Sequence, residues 1–244
     1  MPITTDDFNR ADEAPLGKFL PNFPNLYIWD ILTQALHFDL ISNQVGLWDV
    51  TPLTGYATYL PAFATFAEDQ EVSIALADVP GGWPALALGQ HMQGSLAVLA
   101  RMALVHSGGG PRVPSGYEAG IGLPTISSSI FYIRRWIAGT GVTIASALGP
   151  NPNTFAVGTT VDLTATTVGS NVNLTLQVNG VTKVTFLDNV HPIRGGQPGF
   201  FTTCGGFSLG DSDPNGKNRA MFVDNWSCTA DLLPNGADSS FLDP

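Results

Sequence analysis

Hydrophobic and polar residues alternate most cleanly over 159–187. Val172, Leu174, Leu176 and Val178 take turns with Asn173, Thr175, Gln177 and Asn179, a period of two that sends one row to a core and the other to solvent. Gly169-Ser170 and Asn179-Gly180 interrupt the run, and Asn-Gly tolerates the positive φ angles of a tight hairpin turn. The pattern predicts three consecutive antiparallel strands. Apolar-rich segments predict further strands over 71–77, 96–103, 117–121 and 130–137, and closing strands at 198–201 and 221–228. Within 130–137, Tyr132, Arg134 and Trp136 fall on one face and Phe131, Ile133, Arg135 and Ile137 on the other. Neither face is cleanly apolar.

Residues 19–67 break this pattern. They are rich in aromatics, from Phe19, Phe23, Tyr27 and Trp29 to Tyr59, Phe63 and Phe66. Pro21, Pro24, Pro52 and Pro61 exclude a continuous helix or a long central strand, leaving room for a short helix over 28–38. The stretch is expected to be an elaboration packed on the sandwich or on a neighbouring subunit. Residues 78–94 form a loop that opens on Pro80-Gly81-Gly82-Trp83-Pro84, and the tail 232–244 reads as an extended arm. With no linker and no internal repeat, residues 1–231 are expected to be one domain.

Composition sharpens the class. Apolar residues make up 44% of the 244 and charged residues 12%, so a large core is available and the polar surface comes mostly from Asn, Thr, Ser and Gln. The net charge of −10 repels nucleic acid and anionic membranes. The adjacent basic pair Arg134-Arg135 is split between two faces by strand alternation, so no nucleic-acid site is expected. The most apolar window, 96–105, is interrupted by Arg101 and is too short to span a bilayer. The first fifteen residues lack a charged start followed by an apolar stretch, so no secretory signal is expected. Cys204 and Cys228 fall on segments that sheet pairing can bring together, which admits a disulfide and equally admits two buried thiols.

The motif Asp-x-Phe-x-Arg-Ala at 6–11, followed by Leu16-Gly17, resembles the opening strand of concanavalin A-like or laminin-G-like jelly rolls found in bacteriophage structural and bacterial surface proteins. Further matches follow in the family's order: Gly116-Tyr117-Glu118-Ala119-Gly120, Phe131-Tyr132-Ile133-Arg134, Val178-Asn179-Gly180, Gly199-Phe200 and Asp224-Asn225-Trp226. The resemblance implies an all-β, antiparallel β-sandwich with long loops. It also implies a non-enzymatic virion component, a capsid decoration or adhesion protein made in the host cytoplasm, with other virion proteins or identical subunits as partners. The alternative is an extracellular, stand-alone carbohydrate-binding module that reads cell-surface polysaccharide.

Candidate contacts for a glycan or partner are Trp83, His91, Arg101, Tyr117, Glu118, Tyr132, Arg134 and Trp136, because aromatics and arginines on rigid strands or loops stack on sugar rings and anchor interfaces. Asp211, Asp213 and Asn215 stand at alternate positions before Gly216, a spacing that suits calcium, although no bidentate Glu follows at the usual offset. No cofactor besides calcium is suggested. Jelly-roll retaining glycosidases resemble one another in a Glu-x-Asp-x-x-Glu strand that sets two carboxylates about 5 Å apart. This chain has only Glu13, Glu68, Glu71 and Glu118, none in that pattern, so a hydrolase or lyase would need Glu71 and Glu118 in one cleft.

Overall fold

The computed structural model describes residues 3–6, 27–32, 38–41, 44–47, 53–61, 64–78, 93–106, 112–123, 128–151, 154–205 and 222–234. These residues hold seventeen strands and no α-helix. The first six are β1 (Ile3–Asp6), β2 (Tyr27–Leu32), β3 (Phe38–Ile41), β4 (Gln44–Leu47), β5 (Leu53–Pro61) and β6 (Ala64–Phe66). Then come β7 (Gln70–Asp78), β8 (Gln93–His106), β9 (Arg112–Leu123), β10 (Ser129–Ile137), β11 (Thr140–Gly149) and β12 (Thr160–Val168). The chain closes with β13 (Asn171–Val178), β14 (Val181–Asp188), β15 (Gln197–Gly205), β16 (Phe222–Thr229) and β17 (Leu232–Pro234).

Fifteen of them build two facing antiparallel sheets. The first runs β14-β13-β12-β7-β16-β4-β3, with β1 also on β16, and the second runs β11-β10-β9-β8-β15-β5-β2. Val161, Leu163, Val172, Leu174 and Leu176 of the first sheet pack against Leu96, Val98, Ala119, Ile121 and Ile133 of the second. The first sheet keeps its other face wet, which is why 171–178 alternates so cleanly. The second sheet is buried on both faces: Ala97, Leu99, Met102, Tyr132 and Phe201 form a separate buried cluster on its outer side. An unbroken apolar run over 96–100 follows from that double burial.

Two expectations change. Residues 28–32 are not helical: β2 pairs with β5 from Tyr27↔Pro61 to Leu32↔Tyr56, and the stretch 19–67 supplies strands to both sheets. The prolines bound these strands, Pro52 preceding β5 and Pro61 ending it. The tail begins with β17, which pairs with β6 from Leu232↔Phe66 to Pro234↔Ala64, apart from both large sheets. The cysteines are not on neighbouring strands. Cys204 lies on β15 in the second sheet between Leu53 and Gly94, while Cys228 lies on β16 in the first, between Thr4 and Val72. Cys228 is a buried free thiol whose pKa burial pushes up to about 12, an inert packing group.

β11 had no clear signature in the sequence. Its hairpin with β10 turns through Ala138 (φ 46°) and Gly139 (φ 84°), both positive as a two-residue turn requires. The turn is held by Ala138 N–H donating to Ser115 Oγ at 2.9 Å and Gly139 N–H to the Pro114 carbonyl at 2.9 Å.

Candidate functional site

Four of the residues expected to bind a ligand meet on the outer face of the second sheet. The β9–β10 register sets Glu118 directly opposite Arg134, with Tyr132 opposite Gly120 and Trp136 opposite Gly116. Glu118 therefore faces a ladder of Tyr132, Arg134 and Trp136 spaced two residues apart on one face of β10. Tyr132 donates its hydroxyl to Glu118 Oε1 at 2.5 Å, and Trp136 Nε1–H donates to Oε2 at 2.7 Å. Arg134 Nη1 lies 3.6 Å from Oε1. Its guanidinium sits between the rings, 5.3 Å from the Tyr132 centroid and 5.6 Å from that of Trp136, within cation–π range.

The surrounding glycines make room for this cluster. A Cβ on Gly141 would come within 2.9 Å of both the Trp136 indole and Arg134 Cδ, so the indole lies against bare backbone. A Cβ on Gly122 would stand 3.4 Å from the Tyr132 ring. The carboxylate of Glu118 is fully buried, whereas the Arg134 side chain is 34% exposed. Burial pushes the Glu118 pKa above the usual carboxylate value, against the opposing pull of Tyr132, Arg134 and Trp136. Burial also raises Tyr132 well above an ordinary tyrosine, reinforced by the Glu118 charge. The result is a rigid ledge of Arg134 and Trp136 locked from beneath by a buried acceptor.

Arg101 and Tyr117 do not join this cluster; both turn into the sandwich. For Tyr117 the cause is alternation, since its neighbour Glu118 points outward. Tyr117 donates to Asp188 Oδ2 at 2.8 Å and accepts Ile193 N–H at 2.8 Å. Arg135 donates to Asp188 Oδ1 at 2.7 Å, so Tyr117 and Arg135 of the second sheet clamp Asp188 of the first. Burial alone would raise the Asp188 pKa, but Arg135, the His191 N–H and Tyr117 together hold it below the usual value. Burial likewise pushes Tyr117 well up.

For Arg101 the cause is a β-bulge. The register of β8 with β9 shifts between Ala100 and Ala103, and Arg101 takes φ 53°. Ala100 packs in the central core and Met102 in the outer cluster, which leaves Arg101 the extra residue, directed inward. Its guanidinium donates to the carbonyls of Ile193 (3.0 Å) and Ala165 (3.3 Å) and to Thr167 Oγ1 (2.9 Å), and lies 3.4 Å from Asp69 Oδ1. Burial lowers its pKa, countered by Glu68, Tyr117 and Asp69. Arg101 is thus a tie between the sheets. Its partners Asp69 and Thr167, like Asp188 and Arg135, carry no local sequence signature because the contacts span up to 98 residues.

Glu71 and Glu118 do not share a cleft. Glu71 pairs with Thr164 and Thr229 in the first sheet, on the exposed side away from Val72, and Glu118 is on the outer face of the second. The whole sandwich lies between them, a separation greater than the roughly 10 Å between packed sheets. Trp83, His91, Asp211, Asp213, Asn215 and the Cys204 side chain lie outside the described residues. Among the described residues no group of three His, Cys, Asp or Glu could hold a metal ion, and no helix is long and apolar enough to cross a membrane. A cleft of about 320 Å³ opens elsewhere, lined by Ala67, Glu68, Asp69, Thr167 and Asp231. Glu68 there is paired with Arg194 at 2.9 Å, and Asp69 accepts Thr167 N–H at 2.7 Å.

No protein-family model matches the chain. No curated protein matches it by sequence. Solved structures do match in fold. The legume lectin-like domain from Entamoeba histolytica superposes with a TM-score of 0.52 at 10% identity, covering 82% of this chain and 89% of that one. The VIP36 exoplasmic/lumenal domain in its Ca²⁺/Man3GlcNAc-bound form gives 0.53 at 11% identity, covering 92% and 91%. An endo-1,3-β-glucanase from Streptomyces sioyaensis gives 0.53 at 14% identity, covering 93% and 95%. The architecture is a concanavalin A-like jelly roll.

Proposed function

We propose that this protein is a carbohydrate-binding protein without turnover, and that the Arg134–Trp136 ledge on the outer face of the second sheet contacts the saccharide. The observation that carries the reading is the locked geometry of the ledge: an indole and a guanidinium, both partly accessible, held by one buried carboxylate. A flat indole stacks on the apolar face of a pyranose and a guanidinium donates to its hydroxyls, at little cost in side-chain entropy when both are already fixed. Saccharide in the VIP36 structure and the lectin-like domain of similar fold support the same reading.

The carboxyls among the described residues support binding without turnover. Retaining and inverting glycosidases place two carboxyl groups about 5–9.5 Å apart across the scissile bond. Among the described side chains, Glu68, Asp69, Glu71, Asp162, Asp188, Asp224 and Asp231 all sit on the first sheet or the segments joining it, leaving Glu118 alone on its face. The virion placement expected from the sequence draws no support from the fold or from these likenesses.

The test is a panel of immobilised glycans probed with the wild type and with Trp136→Ala. The wild type is expected to retain at least one saccharide, and the variant, folded at the assay temperature though with a lowered thermal midpoint, to bind it about tenfold or more weakly, a loss of about 1.4 kcal/mol. Absence of any retained saccharide would overturn the reading. So would release of reducing ends from a polysaccharide, if Glu118→Gln abolishes it.

A further inference from the structure

Arg134 supplies the charge of the ledge, and its donors are unspent. Among the described residues its side-chain N–H groups have no hydrogen-bond acceptor: Glu118 Oε1 stands 3.6 Å from Nη1, too far for one. Both oxygens of that carboxyl are already taken at closer range, Oε1 by the Tyr132 hydroxyl at 2.5 Å and Oε2 by Trp136 Nε1–H at 2.7 Å. The other described neighbours of Arg134 on this face bring no counter-charge. The Tyr132 and Trp136 rings flank the guanidinium at 5.3 and 5.6 Å, and the β10–β11 register sets Thr143 beside it.

The pair is also layered. Glu118 is fully buried and the Arg134 side chain is 34% exposed, so the negative end lies beneath and the positive end faces outward. Burial raises the Glu118 pKa, which weakens the counter-charge further. The chain carries −10 overall, but among the described side chains every other carboxyl sits on the first sheet or the segments joining it, with the second sheet between it and the ledge. Exposed charges are largely screened beyond about 8 Å at physiological salt. The ledge is therefore locally cationic on an acidic protein.

Resting on the carbohydrate reading above, we propose that the ledge selects an acidic saccharide, a uronic acid whose carboxylate accepts the forked N–H groups of Arg134 while its ring lies along Trp136. A guanidinium is a planar fork of donors, and a carboxylate accepts two parallel N–H bonds from it where a sugar hydroxyl accepts one. Tyr132 and Trp136 hold the fork in place, so little side-chain freedom is lost on binding. A neutral pyranose seated here would cover the guanidinium without answering its charge, and covering an unpaired charge is costly. A uronate answers it.

The experiment is calorimetry of the full chain with oligosaccharides of galacturonic, glucuronic and mannuronic acid, each as the free acid and as its methyl ester, with neutral oligomers of glucose and mannose alongside. The wild type is expected to bind at least one free acid about tenfold or more tightly than its ester. Arg134→Gln should reduce the affinity for that acid to the level of the ester, and Arg134→Lys, which keeps the charge without the fork, should fall between. An acid and ester bound alike, or a neutral saccharide bound as tightly as any acid, would overturn the proposal and leave the carbohydrate reading standing. A preference for the acid that survives Arg134→Gln would overturn it too. If no saccharide of either kind binds, both readings fall. Should the glutamine variant not fold, the acid-to-ester ratio of the wild type decides alone.

Discussion

Glu118 is fully enclosed, yet both of its oxygens are occupied by donors from a single neighbouring strand. Burial still wins over those donors, so its folded pKa stands above the ordinary 4.5. A carboxyl whose folded value is raised contributes fully below the unfolded value and loses that contribution as pH rises through the folded one. The urea midpoint of the wild type should therefore decline as pH is raised from about 4.5. Glu118→Gln cannot ionise, so its midpoint should stay level over the same span. Parallel curves for the two proteins would show that the donors, not burial, control this group. The opposed faces of Tyr117 and Glu118, and of Arg134 and Arg135, were legible in the sequence because alternation needs no partner. Which residue of β10 stands opposite Glu118 was not, since register depends on the whole connection between Leu123 and Ser129.

At the scale of elements, the bulge at Arg101 governs three strands. It drives the β8 backbone toward both neighbours, and each answers with a glycine. A Cβ on Gly116 of β9 would lie 2.7 Å from Met102 Cα, and one on Gly196, just before β15, 2.3 Å from the Arg101 carbonyl carbon. These obstacles are backbone atoms, which cannot rotate away. Gly196→Ala should then cost about 3 kcal/mol or more, since the strands must part and the Arg101 contacts with them. Gly158→Ala is the control: nothing lies within 4 Å of its Cβ position and only φ +88° opposes it, so about 1 kcal/mol is expected. Chemical denaturation of both variants checks this, and equal losses would mean that the bulge is not rigid. In the sequence Arg101 was visible as a charge interrupting an apolar run and as a candidate ligand contact, not as a tie between the sheets. A bulge leaves no periodic trace, because its signal lies in glycines 15 and 95 residues away. The β10–β11 hairpin was hidden for a simpler reason: Ala138 occupies a left-handed position that Asn179 marks openly in the β13–β14 turn.

For the whole molecule, the two-layer sandwich was legible from the alternating strands over 159–187. The contribution of 27–61 was not, because its aromatics serve strands and its prolines only punctuate them. Polar ties cross the apolar core among the described residues, Arg101 at one place and the Tyr117–Asp188–Arg135 clamp at another. The clamp can be tested as a unit through pH. Burial opposes ionisation of Asp188, but Arg135, His191 N–H and Tyr117 prevail and depress its folded pKa below the unfolded value of 3.8. A depressed carboxyl stabilises the fold above the unfolded value and loses that contribution as pH falls through the folded one. Asp188→Asn keeps the shape of the group but leaves Arg135, only 13% exposed, without its counter-charge. The variant should lose about 3 kcal/mol at neutral pH, as a largely buried pair does when one partner goes. In strong acid the wild-type carboxyl is itself protonated, so the two urea midpoints should converge. A difference that stays constant from neutral pH into acid would mean that packing, rather than charge, holds the sheets together at this point.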